Sequence, residues 1–261
     1  NFNNECGLPL TIFEMNESHE ISVLEMGINH FGEMRKLSAA ASPDICVITN
    51  IGVAHLEFLK TQKGILQEKT QMFQDMKSGG SIILNGDDPL LSALGPVKGA
   101  VPLFYGTSPE HCQVYASDLK PLGLEGTSCT IHLPSGSFDC IVPTPGAHMV
   151  SNALAGAAVG YKLGLTLAEI KAGIENLPFI PGRNHIIRTE KLIILDDCYN
   201  ANPVSMKASI DVLNMAIGRK VAILGDMGEL GADTKALHRS VGEYAAEQGI
   251  DLVCAIGKLS G

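Results

Sequence analysis

The segment Ile45-Cys46-Val47-Ile48-Thr49, followed by Thr61–Met76 and then by Ser81-Ile82-Ile83-Leu84, decides the fold. The first and last pieces are short apolar runs rich in β-branched residues, the length of strands and too short for helices. Thr61–Met76 between them carries apolar residues at helical spacing. Strand, helix and strand in this order predict a parallel pair joined by a right-handed crossover.

The same alternation extends outward. Ile21–Met26 reads as a strand and Glu33–Ala41 as a helix. Downstream, Asp87–Ala93 reads as a short helix and Val101–Tyr105 as a strand. The pattern then changes: Val114–Pro143 holds short runs split by Gly, Pro and Ser, among them Thr127–Leu133 and Phe138–Val142. That predicts antiparallel hairpins appended to the sheet. Helices return at Met149–Leu163, rich in Ala and Gly, and at Leu167–Leu177. Pro178-Phe179-Ile180-Pro181-Gly182-Arg183 is the linker, because two prolines and a glycine stop the preceding helix. A second α/β pattern follows: strand Lys191–Leu195, helix Pro203–Met215, strand Lys220–Leu224, helix Thr234–Gln248, strand Leu252–Ile256. The expected class is α/β, with one mostly parallel domain over 1–182 and a shorter, truncated one over 183–261.

Composition bounds the function. The chain has 261 residues, is 45% hydrophobic and carries a formal charge of −9. Its apolar content can bury a core, which excludes disorder. The acidic balance argues against a nucleic-acid surface, which wants clustered Lys and Arg. No apolar run approaches the ~20 residues of a membrane helix. The seven cysteines are odd in number, spread out, and contain no C-x-x-C pair. They suggest a reducing, cytoplasmic setting, with neither a zinc site nor a disulfide framework. The chain starts without Met and stops just after an apolar run, so a fragment cut at both ends is expected.

Six places could carry chemistry. Glu25 ends the first expected strand, where ligands of open α/β sheets gather, and could hold a hard cation through oxygen or simply cap a helix. Thr49-Asn50-Ile51-Gly52-Val53-Ala54-His55 leaves the next strand and puts His55 on the same edge. Lys69 reads as a helix-surface lysine, and its ammonium has no lone pair for a metal. Asn152, entering the Ala-rich helix, suits an adenine edge or a cap. Asp196-Asp197-Cys198-Tyr199-Asn200-Ala201-Asn202-Pro203 is a dense polar cluster at a strand end entering a helix, suited to ribose and phosphate. Leu224-Gly225-Asp226-Met227-Gly228-Glu229-Leu230-Gly231 reads as a turn beside a binding edge. It is not a G-x-G-x-x-G loop, and G-x-x-x-x-G-K-[ST] occurs nowhere in the 261 residues.

Together these motifs resemble the Mur ligases of peptidoglycan synthesis. Asn3-Asn4-Glu5-Cys6-Gly7-Leu8-Pro9-Leu10-Thr11 is similar to the family's N-N-x-x-G-x-P-L-T segment, and Glu25–Glu33 to its E-M-G-x-N-H-x-G-E run. Thr49–Glu57, Asp196–Pro203 and Leu224–Gly231 complete a likeness that runs essentially end to end. The last two favour the member that joins D-Ala-D-Ala to a UDP-MurNAc-tripeptide. The resemblance implies most of a central ATPase domain plus part of a Rossmann-like C-terminal domain. It implies ATP and Mg²⁺ as cofactors, amide ligation through an acyl phosphate, and a monomer. Glu25, His55 and a carbamylated Lys69 would form the metal site, with His55 and Lys69 also catalytic. Asn152, Arg183 and Asp197 would contact the nucleotide, and Tyr199, Asn200 and Asn202 would line its cleft. Two departures stand out: His148-Met149-Val150-Ser151-Asn152 replaces H-N-x-x-N, and Phe58-Leu59-Lys60 replaces expected glycines. Without the absent P-loop, the 261 residues alone are expected not to turn over ATP. The alternatives are another amide ligase of the superfamily, such as a folylpolyglutamate synthase, or a nucleotide-binding fragment without catalysis.

Overall fold

The computed structural model describes residues 2–52 and 56–261, with Leu56, Glu57 and Ala232 described by their backbone alone. Contacts divide the chain into two compact units, Asn1–Cys112 and Gln113–Gly261.

In the first unit, the deciding segment folds as expected. Strand β1 (Ile45–Ile48) runs parallel to β2 (Ser81–Asn85), with Ile45 opposite Ser81 and Ile48 opposite Leu84. β2 runs parallel to β3 (Leu103–Gly106). Ile82, Ile83 and Leu84 are consecutive and all buried, as a parallel strand covered on both faces requires. Helix α1 (Gly7–Phe13) opens the chain and α2 (Glu33–Ala41) precedes β1. Between β1 and β2 lie the short α3 (Leu56–Leu59) and α4 (Gln62–Lys69), which tightens into a 3₁₀ turn over Thr70–Gln74. The hydroxyl of Thr61 caps α4 by accepting from the Gly64 N–H at 3.0 Å. α5 (Pro89–Ser92) follows β2, capped by Asp88 and with Pro at its first position. Met34, Leu37, Ile48, Ile65, Phe73 and Leu84 form the centre of this core.

One expectation fails here. Ile21–Met26 carries no strand. Val23 is 89% exposed and Ile21 53%, while Leu24 and Met26 pack against the core. A strand needs a ladder partner as well as a covered face, and this run has no ladder partner among the described residues.

The second unit begins with an antiparallel meander. β4 (Val114–Pro121), β5 (Thr127–Leu133) and β6 (Gly136–Val142) pair in sequence, with a register break between Ser117 and Lys120. β5 buries alternate residues, Thr127, Cys129, Ile131 and Leu133, on one face. Helices α6 (Ala147–Lys162) and α7 (Leu167–Glu175) pack against this meander. The small residues Ala153, Ala155, Ala157 and Ala158 are buried along α6, which lets its backbone approach closely. Thr166 and Glu169 form a reciprocal capping box on α7.

After the irregular linker, β7 (His185–Arg188) and β8 (Ile193–Asp196) form an antiparallel hairpin. The sequence pattern does not predict β7, since it starts the second α/β unit at Lys191 and assigns no element to His185–Arg188. The remaining order is α8 (Pro203–Asn214), β9 (Val221–Gly225), α9 (Thr234–Glu247) and β10 (Leu252–Ile256), with β9 and β10 parallel. Ile210, Met227, Leu230, Val241 and Ala245 form their core. No helix among the described residues is long and apolar enough to cross a membrane.

Candidate functional site

The first cluster lies in the Asn1–Cys112 unit, around the loop that leaves β1. Four side chains from different places hold this loop. Asn85 Nδ2 donates to the Thr49 carbonyl at 2.9 Å, and Lys69 Nζ to the Asn50 carbonyl at 2.9 Å. Gln62 Nε2 donates to the Ile51 carbonyl at 3.0 Å, while Asp88 Oδ2 accepts from the Ile51 N–H at 2.6 Å. The loop is therefore shaped before any ligand arrives. Asp88 works twice, since its Oδ1 also accepts from Leu90 N and Leu91 N at the start of α5.

Lys69 is not the exposed lysine that its helix position suggests. Burial holds its amine below the ordinary lysine value, although the Asp88 carboxylate pulls the other way. A desolvated amine is more often neutral and therefore nucleophilic. The preceding residue, Glu68, is buried and accepts from Gly32 N at 2.9 Å and Met34 N at 2.8 Å, which pins the start of α2.

Glu25 is exposed on its irregular segment, and a distant residue orients it. Asn3 Nδ2 donates to Glu25 Oε1 at 3.0 Å, while the Gly27 N–H donates to the Asn3 carbonyl at 2.8 Å. Gly27 has to be glycine for this to work. A Cβ there would stand 2.7 Å from Asn3 Nδ2 and push that amide off Glu25. Eight residues on, Glu33 Oε2 accepts from Asn29 N at 2.6 Å and His30 N at 2.9 Å. Burial opposes its ionisation, but those N–H groups hold its carboxyl below the usual range. His55, the expected partner of Glu25 and Lys69, lies outside the described residues. Among the described residues no group of three or more His, Cys, Asp and Glu side chains could hold a metal. The donors that fit a hard cation here are carboxylate oxygens, first of all Glu25, and Lys69 joins them only once its nitrogen carries an oxygen-bearing group.

The second cluster lies in the Gln113–Gly261 unit, at the end of β8. Asp197 is gripped from two sides: Oδ1 accepts from Asn184 N at 2.9 Å, and Oδ2 accepts from the Ser209 hydroxyl on α8. Asn184 Nδ2 donates to the Pro145 carbonyl at 2.7 Å, tying the linker to the turn that opens α6. Asp196 Oδ2 accepts from Gly182 N at 3.0 Å, and the Gly182 carbonyl accepts from Tyr199 N at 3.1 Å. Gly182 has φ +73°, and a Cβ there would stand 3.2 Å from Tyr199 Cβ. This packing sets the Arg183 guanidinium 4.1 Å above the centre of the Tyr199 ring, a stacked cation–π pair. Arg183, Asp197 and Tyr199 thus lie in one cluster.

The other expected residues of this cluster have mixed employment. Asn202 Oδ1 caps α8, accepting from Val204 N at 3.0 Å and Ser205 N at 2.9 Å. Asn200 is exposed, and its Oδ1 accepts from Ala201 N at 2.9 Å. Asn152 is exposed on α6 beside a groove of about 260 Å³ between α6 and α7, which Met149, Gly156 and Gly173 also line. His148, one turn earlier, keeps an exposed face, and the protein packed around the rest of its ring holds it below the ordinary histidine value against the pull of Asp197 and Asp211. Asp226 is committed elsewhere: its oxygens accept from Lys258 N, Leu259 N and Ser260 N at 2.8–3.0 Å, so it closes the turn after β10.

Sequence reasoning missed Asn3, Asn85, Asp88, Asn184 and Ser209. Asp88 before Pro89 is a helix-cap signature and could have been read. The other four act across gaps of 12 to 39 residues, which no local pattern displays.

Comparison with known proteins gives this geometry its family. The Mur ligase middle domain matches residues 1–160, and the Mur ligase glutamate ligase domain matches 182–260. UDP-N-acetylmuramoyl-tripeptide–D-alanyl-D-alanine ligase of Escherichia coli is 36% identical over 100% of the chain and 58% of its own length. The Bacillus subtilis enzyme of that name is 38% identical over 99% of the chain and 56% of its length. Among solved structures, MurF from Acinetobacter baumannii superposes with a TM-score of 0.92 at 32% identity, over 99% of this chain and 56% of that one. MurF from Thermotoga maritima in complex with ADP gives 0.85 at 30% identity, over 98% and 58%. The chain spans a little over half the length of these relatives. With both domain types matched in order, and with the motifs that carry the likeness forming the two clusters above, the chain belongs to the Mur ligase family.

Proposed function

We propose that the chain is part of an ATP-dependent amide ligase that joins D-Ala-D-Ala to a UDP-MurNAc-tripeptide in the cytoplasm, acting as a monomer. The observation that carries this reading is the match along the whole chain to relatives named for that one reaction. In this reading residues 1–182 belong to the central ATP-binding domain and 183–261 to the C-terminal domain. ATP activates the tripeptide carboxylate as an acyl phosphate, and the D-Ala-D-Ala amine then displaces phosphate.

The residues divide that work. The adenine lies beside Asn152, whose amide offers both a donor and an acceptor. Asp197 accepts from ribose hydroxyls with the lone pairs left by Asn184 and Ser209, and Arg183, stacked on Tyr199, meets the nucleotide with a fixed cation. Tyr199, Asn200 and Asn202 line the cleft and exclude water from the reactive anhydride. Glu25, His55 and Lys69 would hold the Mg²⁺. The lowered basicity of Lys69 supports its carbamylation, since a neutral amine adds carbon dioxide and thereby gains oxygen donors. Bound there, Mg²⁺ supplies charge neutralisation at the phosphates.

The test is substrate choice by the full-length protein. D-Ala-D-Ala should stimulate phosphate release with the tripeptide substrate, and the 261 residues alone should release none. Stimulation by glutamate with a folate, and not by D-Ala-D-Ala, would move the protein to the folylpolyglutamate synthases. Replacing Lys69 by Met should abolish turnover, whereas restoring activity to Lys69→Ala with an added short-chain carboxylic acid would support an oxygen ligand at that position.

A further inference from the structure

The ligase reading leaves one reactive pair unused. Cys129 on β5 and Cys140 on β6 are direct cross-strand partners in the antiparallel ladder. Their sulfurs stand 3.9 Å apart. Both side chains are buried, and both residues border an open depression of about 600 Å³ whose walls include Asp139, Lys171 and Glu175. No residue of the nucleotide cluster lines it.

We propose that Cys129 and Cys140 form a dithiol site that a small peroxide oxidises to an intramolecular disulfide. The backbone already permits the bond. Direct partners in an antiparallel pair have Cα atoms about 4.5–5.5 Å apart, inside the range of about 4.4–6.8 Å that disulfides occupy. Side-chain rotation alone can bring the sulfurs from 3.9 Å to bonding distance. The two thiols are not equivalent. The hydrogen bond from the Cys140 thiol holds Cys129 below the ordinary cysteine value against the effect of burial, and the same bond, with burial, pushes Cys140 up. Cys129 is therefore the attacking thiolate.

The steps balance. The Cys129 thiolate attacks one peroxide oxygen and the O–O bond breaks. This leaves a Cys129 sulfenic acid and a hydroxide that takes up the proton lost from Cys129, giving water. The Cys140 thiol then attacks the sulfenic sulfur, forming the S–S bond. The hydroxyl leaves with the Cys140 proton as a second water. Two thiols are oxidised and one peroxide is reduced to two waters. A small peroxide reaches the pair from the adjoining depression when the sheet edge opens, and the paired partner traps the sulfenic acid before it oxidises further.

The test uses the full-length protein with exposed Cys6 and Cys198 replaced by serine, so that disulfides between molecules do not obscure the result. After hydrogen peroxide treatment, denaturation with a thiol-blocking reagent, and digestion, mass spectrometry should find a Cys129–Cys140 linked peptide. It should weigh about 2 Da less than the two reduced peptides together, and dithiothreitol should release it. In Cys129→Ser the link should vanish and Cys140 should stay reduced. The proposal is overturned if both cysteines are recovered as blocked thiols at a peroxide dose that oxidises Cys6 or Cys198 in the unsubstituted protein. It is also overturned if Cys140 oxidises as fast in Cys129→Ser as beside Cys129. Neither outcome depends on which substrate the ligase takes.

Discussion

Glu25 and Asp197 are both acids at the centre of a cluster, and they are held in opposite ways. Asp197 sits at the end of a hydrogen-bonded hairpin, with one oxygen on a backbone N–H and the other on Ser209. Glu25 sits on a segment without a ladder and is oriented through one side-chain bond from Asn3. Redundancy is what separates them. Losing one anchor leaves Asp197 with a second, while losing Asn3 leaves Glu25 to solvent and rotamer entropy. The Glu25 site is therefore the more fragile of the two, and its sequence signal is also the less specific one.

The largest effect should come from removing the acid itself. If the proposed activity holds, Glu25→Ala in the full-length protein should lower turnover at least about tenfold and up to about 10³-fold at limiting Mg²⁺, as loss of a preorganised charge does. Unchanged kinetics would remove Glu25 from the metal site. Next comes its anchor. Asn3→Ala should cost about tenfold in kcat, through misorientation, and should be partly relieved by raising Mg²⁺. The parallel substitution on the other acid, Ser209→Ala, should raise the KM for ATP only about two- to threefold, because Asn184 still holds Asp197 and only a small part of the about 1.5–3 kcal/mol of a hydrogen bond to a charged group then reaches nucleotide binding. If Ser209→Ala costs more than Asn3→Ala, the redundancy argument is wrong.

The smallest expected effect is a slope in pH. His148 is held below the ordinary histidine value in the folded protein. As pH falls through about 6.5 the unfolded chain takes up a proton that the folded chain refuses, so stability is lost on acidification from there down to the lowered folded value. His148→Gln should flatten the fall in denaturant midpoint between about pH 7 and 5. An unaltered slope would place the acid-sensitive group elsewhere.

Much of the fold was legible because strands and helices of an α/β layer write their period locally. Glu33–Ala41, Thr127–Leu133 and Leu252–Ile256 occur with the bounds their patterns predict. Ile21–Met26 shows the limit of such patterns. Its composition is that of a strand and Leu24 and Met26 even pack on the core, but strandedness is a property of a pair, and among the described residues no strand pairs with it. β7 fails in the other direction, since His185-Ile186-Ile187-Arg188 is a strand because β8 folds back on it.

The candidate sites divide in the same manner. The motif residues Glu25, Lys69, Asn152, Arg183 and Asp197 could be picked out in one dimension, because their chemistry is local and their neighbours in sequence repeat a family pattern. The helix caps were equally readable, since Thr166 and Asn202 act within one turn. The surroundings of those residues were decided only in three dimensions. Burial turns Lys69 from a surface charge into an amine of lowered basicity, and Asn3, Asp88, Asn184 and Ser209 reach the site from distant positions. The pairing of Cys129 with Cys140 likewise exists only once β5 and β6 settle into register. Sequence sets which groups are present and the local periods they obey. Desolvation and long-range hydrogen bonding depend on where the chain returns to itself, and only the tertiary fold decides that.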